Sequence, residues 1–241
     1  MTPRPAVIQR NHLDTGLKKD AAVGRFAGKA SARFTGAKNP MSGNKQWATL
    51  TNQQRGDKLL KYANAELTNT HVPALKSVTL NIAAAQPSFQ LATWTIELVG
   101  DMSRTDDAYL SWLVDAVYHE SRHCEQWFRI ARKLAGDGQT AVQIQATMGI
   151  PLDIAQAAVK RPLSAQPDAS KFFHSKEYNA RHAVKLQEAT AWHASIYGAG
   201  AAHRTGVLTA VPMDVAAYHA LPEEVDAYIV GPKAAAAYNA L

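Results

Sequence analysis

Two histidines four residues apart, with a glutamate directly after the first, stand in the stretch His119-Glu120-Ser121-Arg122-His123. On an α-helix, residues four apart lie one turn above each other on the same face, so both imidazoles can aim at one ion. Glu120 lies about 100° round the helix from His119, within reach of a metal-bound water yet off the ligand positions. Zinc suits this arrangement: three protein ligands, an open fourth position, and a carboxylate to accept a proton from water. The competing reading is an exposed helix face carrying two unrelated histidines.

The flanking residues can be tested against the metal reading. With His119 as reference, Trp112, Asp115, Ala116, His123 and Gln126 fall within roughly 60° of it, so Asp115 and Gln126 could accept hydrogen bonds from the ligand imidazoles and fix their tautomers. Leu113, Val114 and Val117 form a separate side suited to a core. Cys124, the sole cysteine, points about 100° away from His123, which makes it a packing residue and excludes an internal disulfide.

A third ligand must come from elsewhere. Three downstream acids stand in the frame Glu-x-x-Ala: Glu177, Glu188 and Glu224. A ligand glutamate on a helix needs a small residue one turn on, where that helix crosses the motif helix closely. Glu188 sits on a long amphipathic segment and is otherwise a surface or supporting acid. Glu177 fits a helix N-terminal charge.

His119-Glu120-x-x-His123-x-x-Gln126, followed by Tyr218-His-Ala-Leu-Pro222-Glu-Glu224-Val-Asp226-Ala227-Tyr, resembles the zincin metallopeptidases of the glutamate-ligand type. More narrowly it resembles bacterial HExxH-x-x-Q domains of phage-like and contractile-injection-associated toxins. The resemblance covers these two segments, roughly a tenth of the chain. It implies a zincin-like fold, a Zn2+ ion held by His119, His123 and Glu224, Asp226 as an accompanying acid, and Glu120 as general base. A protein or peptide substrate and an injected effector role come with it.

The elements that must position these residues can be sketched from pattern and punctuation. The sequence predicts a helix over 46–67 and β-like stretches over 77–82 and 89–99. A long helix follows from about 106 to 134, capped by Ser103 or Thr105 and stopped at Gly136-Asp-Gly. Two short helices are expected between Thr140 and Lys160, broken at Gly149-Ile-Pro151. Their spacing is that of a helix-turn-helix, but the second carries a single basic residue, so core packing is the expectation. A helix over 169–197, a Gly- and Ala-rich loop, and a helical stretch over 213–230 broken at Pro222 complete the chain. The fold class is α+β, mostly helical: a small sheet or hairpin packed on the long motif helix.

Charge divides the chain. Nine Lys or Arg stand against two Asp in residues 1–45, a balance of +7, which leaves the remaining 196 residues at about −1 of the chain's +6. That segment is rich in Gly, Ala and Ser with no sustained period, so residues 1–45 are expected to form a disordered basic arm, a delivery signal for a secretion or injection apparatus, and 46–241 one metallohydrolase domain. The neutral body argues against nucleic acid except through that arm. No apolar run reaches the roughly 20 residues needed to span a bilayer, and the start leads into no apolar signal region, so the expected location is cytoplasmic, or exported by another route. A Gly-x-x-x-x-Gly-Lys-Ser/Thr loop and a Gly-x-Ser-x-Gly elbow are both absent. His174, His182, His193, His203, His219, Tyr218 and Tyr228 are candidates to hydrogen-bond a tetrahedral intermediate. A non-catalytic zincin-like binding module is the alternative to a hydrolase.

Overall fold

The computed structural model describes residues 15–34, 46–83, 86–164 and 176–241. Its axis is α4 (Asp107–Gly136), a 30-residue helix that carries the His-Glu-x-x-His motif. Asp106 starts it, its carboxylate accepting the Tyr109 N–H at 3.0 Å, so the cap is neither Ser103 nor Thr105 but the residue after Thr105. Acidic caps suit a helix start because they satisfy an orphan N–H and meet the positive end of the dipole. Leu113, Val114 and Val117 of α4 are buried in the core, and so is Cys124, whose thiol burial pushes up.

Around this axis pack α3 (Asn52–Asn69), α5 (Ala141–Met148), α6 (Leu152–Val159), α7 (Lys176–Ile196) and α10 (Pro222–Asn239). The most extensive packing is that of α10 along α4. The approach is tight at Gly231, where a Cβ would lie 2.1 Å from Asp115 Oδ1. The short helices α2 (Gln46–Thr49), α8 (Ala201–Thr209) and α9 (Val215–His219) join these elements. Helices α5 and α6 break at Gly149, in a left-handed conformation, and Pro151, as the sequence predicts. They bury Ile144, Met148, Ile154, Ala155 and Ala158, which is core packing. The Gly- and Ala-rich stretch expected as a loop contains α8. The start of the expected helix over 169–197 lies outside the described residues, as does the side chain of Glu177.

A three-stranded mixed sheet has the order β1 (Val78–Asn81), β3 (Thr95–Val99), β2 (Ser88–Gln90). β1 runs parallel to β3 with Val78 opposite Ile96, and β2 runs antiparallel with Phe89 opposite Ile96. The stretch 89–99, expected as one strand, is two, separated by a turn with Trp94 at a positive φ of 59°. β2 is thus an edge strand, and it packs on α4.

The largest correction concerns the basic arm. Residues 16–18 form a 3-10 turn and Asp20–Phe34 form α1, with Leu17, Ala22, Val23, Phe26, Ala27 and Ala30 buried in the common core. Residues 15–34 therefore belong to the folded body; residues 1–14 and 35–45 lie outside the described residues. Three of the arm's cations are spent internally. Lys18 pairs with Glu188 and Asp226, while Arg25 and Lys29 pair with the fully buried Glu66 of α3. Over residues 15–34, then, folded structure packed into the core stands where a disordered arm is expected. Among the described residues, no helix is long and apolar enough to cross a membrane.

Candidate metal centre

His119 and His123 project from one face of α4 into a cleft of about 480 Å³, and Glu224 reaches the same point from the first turn of α10. Local sequence fixes where Glu224 sits. Pro222 opens α10, its fixed φ pre-set for a helix start, and Glu223 and Glu224 complement the positive end of the dipole. Ala227, one turn on, is fully buried, as a close helix crossing requires. Of the three Glu-x-x-Ala acids, the structure brings Glu224 to the histidines. Glu188 lies instead beside Lys18 and Arg129 on the other side of α4.

The two Nε2 atoms are 3.0 Å apart, and Glu224 Oε2 is 3.6 Å from His119 Nε2 and 3.4 Å from His123 Nε2. Four ligands about 2.0–2.1 Å from a zinc ion in a tetrahedron are separated by roughly 3.3 Å, so these spacings match the edges of one tetrahedral face. The hydrogen-bond pattern tests the fit independently. Gln126 uses its amide N–H groups on the Glu223 carbonyl (2.8 Å) and Asp226 Oδ2 (2.9 Å), so its oxygen must accept from His123 Nδ1 (2.8 Å). That fixes a proton on Nδ1 and turns Nε2, the position a metal would take, toward the site. Glu224 Oε2 is buried and has no hydrogen-bond donor. A buried oxygen without a partner is costly, and here it converges with two ring nitrogens. A borderline cation that accepts nitrogen and oxygen ligands fits this donor set.

Glu120 stands beside this cluster, one carboxylate oxygen 4.0 Å from His119 Nε2 and the other accepting the Phe89 N–H at 2.7 Å. The edge strand thus holds the carboxylate in place. Burial raises the Glu120 pKa, against the opposing pull of His123 and His119. Burial also pushes Glu224 up, but the adjacent His119 and His123 imidazoles outweigh that and hold it well below the usual carboxylate range. For His123, burial lowers the pKa, yet Glu224 and Glu120 prevail and raise it to about 9.

Asp226, the accompanying acid, accepts from Gln126 and from Arg122 Nε (2.7 Å) and pairs with Lys18. It supports a ligand histidine through Gln126, a relay that pairwise motif spacing does not show. Asp115, expected near the imidazoles, lines the cleft but makes no hydrogen bond to His119; burial raises its pKa, with His119 alone opposing. Among the candidates to bind an intermediate, Tyr218 and Tyr228 line the cleft. Burial and the nearby Glu224 carboxylate push the Tyr218 hydroxyl up, and Tyr228 sets its ring edge-on to His119 at 4.7 Å. His219 packs on Tyr228, His182 meets the Ser164 carbonyl, and His193 lies by Tyr197. None of these three lines the cleft, nor does His203, and His174 lies outside the described residues. Sequence reasoning missed Arg204, which reaches the cleft from α8 and binds Glu223 at 2.7 Å; the unrecognised helix left it without a position.

In comparison with known proteins, the chain matches no family model, no curated protein and no solved structure.

Proposed function

We propose that this chain is a zinc-dependent hydrolase of the peptidase type. The observation that carries the reading is the convergence of His119 Nε2, His123 Nε2 and the donorless Glu224 Oε2, with Glu120 beside them and an open cleft in front. A zinc ion bound there supplies a Lewis acid that acidifies water and polarises a carbonyl. Glu120, held by the Phe89 amide, accepts the proton from water and returns it to the leaving amine. Tyr218 and Tyr228 stand where a hydroxyl can donate to developing negative charge. Edge strand β2 along the cleft offers extended backbone against which a peptide can lie, which supports a peptide substrate over a compact small molecule.

The test is metal content together with activity. Purified protein should hold one zinc per chain and cleave a mixed peptide pool, with cleavage abolished by a chelator and restored by zinc. Protein that binds no stoichiometric metal sinks the centre. Protein that binds zinc but cleaves nothing favours the non-catalytic binding module.

A further inference from the structure

We propose that Asp115 is a specificity-determining residue of the cleft, selecting substrates with a cationic side chain, lysine or arginine, next to the reacting bond. The inference rests on the hydrolase reading and names its substrate class.

The cleft lining carries four carboxylates, of Asp115, Glu120, Glu223 and Glu224. Arg204 neutralises Glu223. Glu224 converges with the two histidines, and Glu120 is held by the Phe89 amide and faces the same ring nitrogens. Among the described residues, Asp115 alone of the four has neither an ion pair nor a hydrogen bond. It is half-buried in the middle of α4, where it caps nothing and where aspartate is a poor helix former. A partly desolvated carboxylate without a donor costs stability, so its place in the wall of a cleft points to a partner that arrives from outside.

The surroundings say what that partner is. Asp115 sits one turn before His119, about 6 Å along the helix, a distance that a lysine's four-carbon stem can span. Beside it the cleft is walled by Trp112 and Tyr228, which remain 37% and 38% exposed. Tyr228 packs on His119, and α10 passes Asp115 at Gly231, so both aromatics and the carboxylate share the end of the cleft before His119. Aromatic faces around a carboxylate bind ammonium and guanidinium groups through their electron-rich rings as well as through charge. An acidic or phosphorylated side chain would meet only repulsion there.

Zinc-anchored ligands separate this subsite from catalysis. Affinities of the zinc-loaded protein are measured by calorimetry for Nα-acetyl-lysine hydroxamate and its uncharged counterpart Nα-acetyl-norleucine hydroxamate. The lysyl compound should bind about fivefold to tenfold more tightly, the size of a partly desolvated ion pair with an aromatic contact. In Asp115→Asn the preference should vanish while zinc affinity stays within twofold of the parent. Equal affinities in the parent, which needs no variant to fold, overturn the proposal, as does a preference that survives in Asp115→Asn. A large loss of zinc affinity in Asp115→Asn makes the residue a support for His119 and also overturns it. A lysyl preference in protein that cleaves no peptide upholds the subsite and removes the hydrolase reading. If neither compound binds, the metal centre and the subsite fall together.

Discussion

Helix α4 presents two polar faces that obey opposite rules. Toward the cleft, His119, His123 and Glu120 converge with Glu224 while Asp115 lines the same wall, and bonding capacity is left over: among the described residues a carboxylate oxygen without a donor, beside two ring nitrogens 3.0 Å apart. On the other side Arg122, Glu125 and Arg129 are sealed in a network with Lys18, Glu188 and Asp226. Backbone from the N-terminal segment completes it, the Leu17 N–H donating to Glu125 and the Leu17 carbonyl accepting from Tyr118. Gly16, at a positive φ of 59°, lies so close to Glu125 that a side chain there would collide with the carboxylate. The cleft face holds unsatisfied groups around an open space; the sealed face pairs its charges and fixes the helix, although Arg122 Nη2, 3.8 Å from Glu188, makes no hydrogen bond among the described residues. Gln126 and Asp226 join the two.

The largest effect expected from breaking this comparison is on the cleft face. Glu120→Gln should lower peptide hydrolysis by about 10²–10⁴-fold, the usual weight of a general base, while zinc content and melting temperature stay near the parent's. The same element carries a glutamate five residues on with the opposite assignment. Glu125→Ala leaves Arg122 and Arg129 buried with fewer partners, so chemical denaturation should show a loss of about 3–5 kcal/mol. If Glu120→Gln instead unfolds the protein and Glu125→Ala costs nothing, the division of labour between the faces is wrong.

What the sequence made legible follows the same division. Residues whose meaning is local spacing were readable: His119, Glu120 and His123 on one helix, with Gln126 one turn further as the tautomer-fixing neighbour. Glu224 was reachable only through a resemblance, since three acids share the same frame and only the α10–α4 crossing separates them. Segment 15–34 was misread for a physical reason. Its buried positions, Ala22, Val23, Phe26, Ala27 and Ala30, do keep a helical period, but three of the five are alanine. Alanine adds little apolar signal, yet it is what lets α1 pack closely along α10. Its cations look like a solvated charge run until their partners Glu66, Glu188 and Asp226, distant in sequence, are brought beside them.

Where the faces join, a smaller and more specific effect is expected. Gln126→Leu removes the acceptor for His123 Nδ1 and the donor to Asp226 without touching a ligand. Competition with a chromogenic chelator should show zinc affinity lowered about 10–100-fold, with the fold retained. Lys18→Met, one step further from the ion, should weaken zinc binding less than Gln126→Leu and lower stability more. An equal loss of zinc affinity in both variants would show that the sealed face also sets the metal site.

The smallest effect is a sign. Glu66, in the sealed packing of α1 on α3, is pushed up by burial, but Arg25 and Lys29 outweigh that and lower its pKa below the ordinary 4.5. A carboxyl with a lowered folded pKa contributes stability above its unfolded value and loses it as pH falls through the folded one. Asp115, in the cleft, is raised above the ordinary 3.8 by burial, so its ionisation costs the folded state. That penalty is absent in acid, grows as pH rises past the unfolded value, and is complete above the raised pKa. Urea unfolding of the chelated protein from pH 3 to 7 should therefore separate two variants. Glu66→Gln should be less stable than the parent near pH 7, with the difference shrinking toward pH 3. Asp115→Asn should gain on the parent as pH rises. Parallel curves for the two would mean that both carboxylates sit in the same kind of environment, and the contrast between a sealed and a receptive face would not extend beyond the metal ligands.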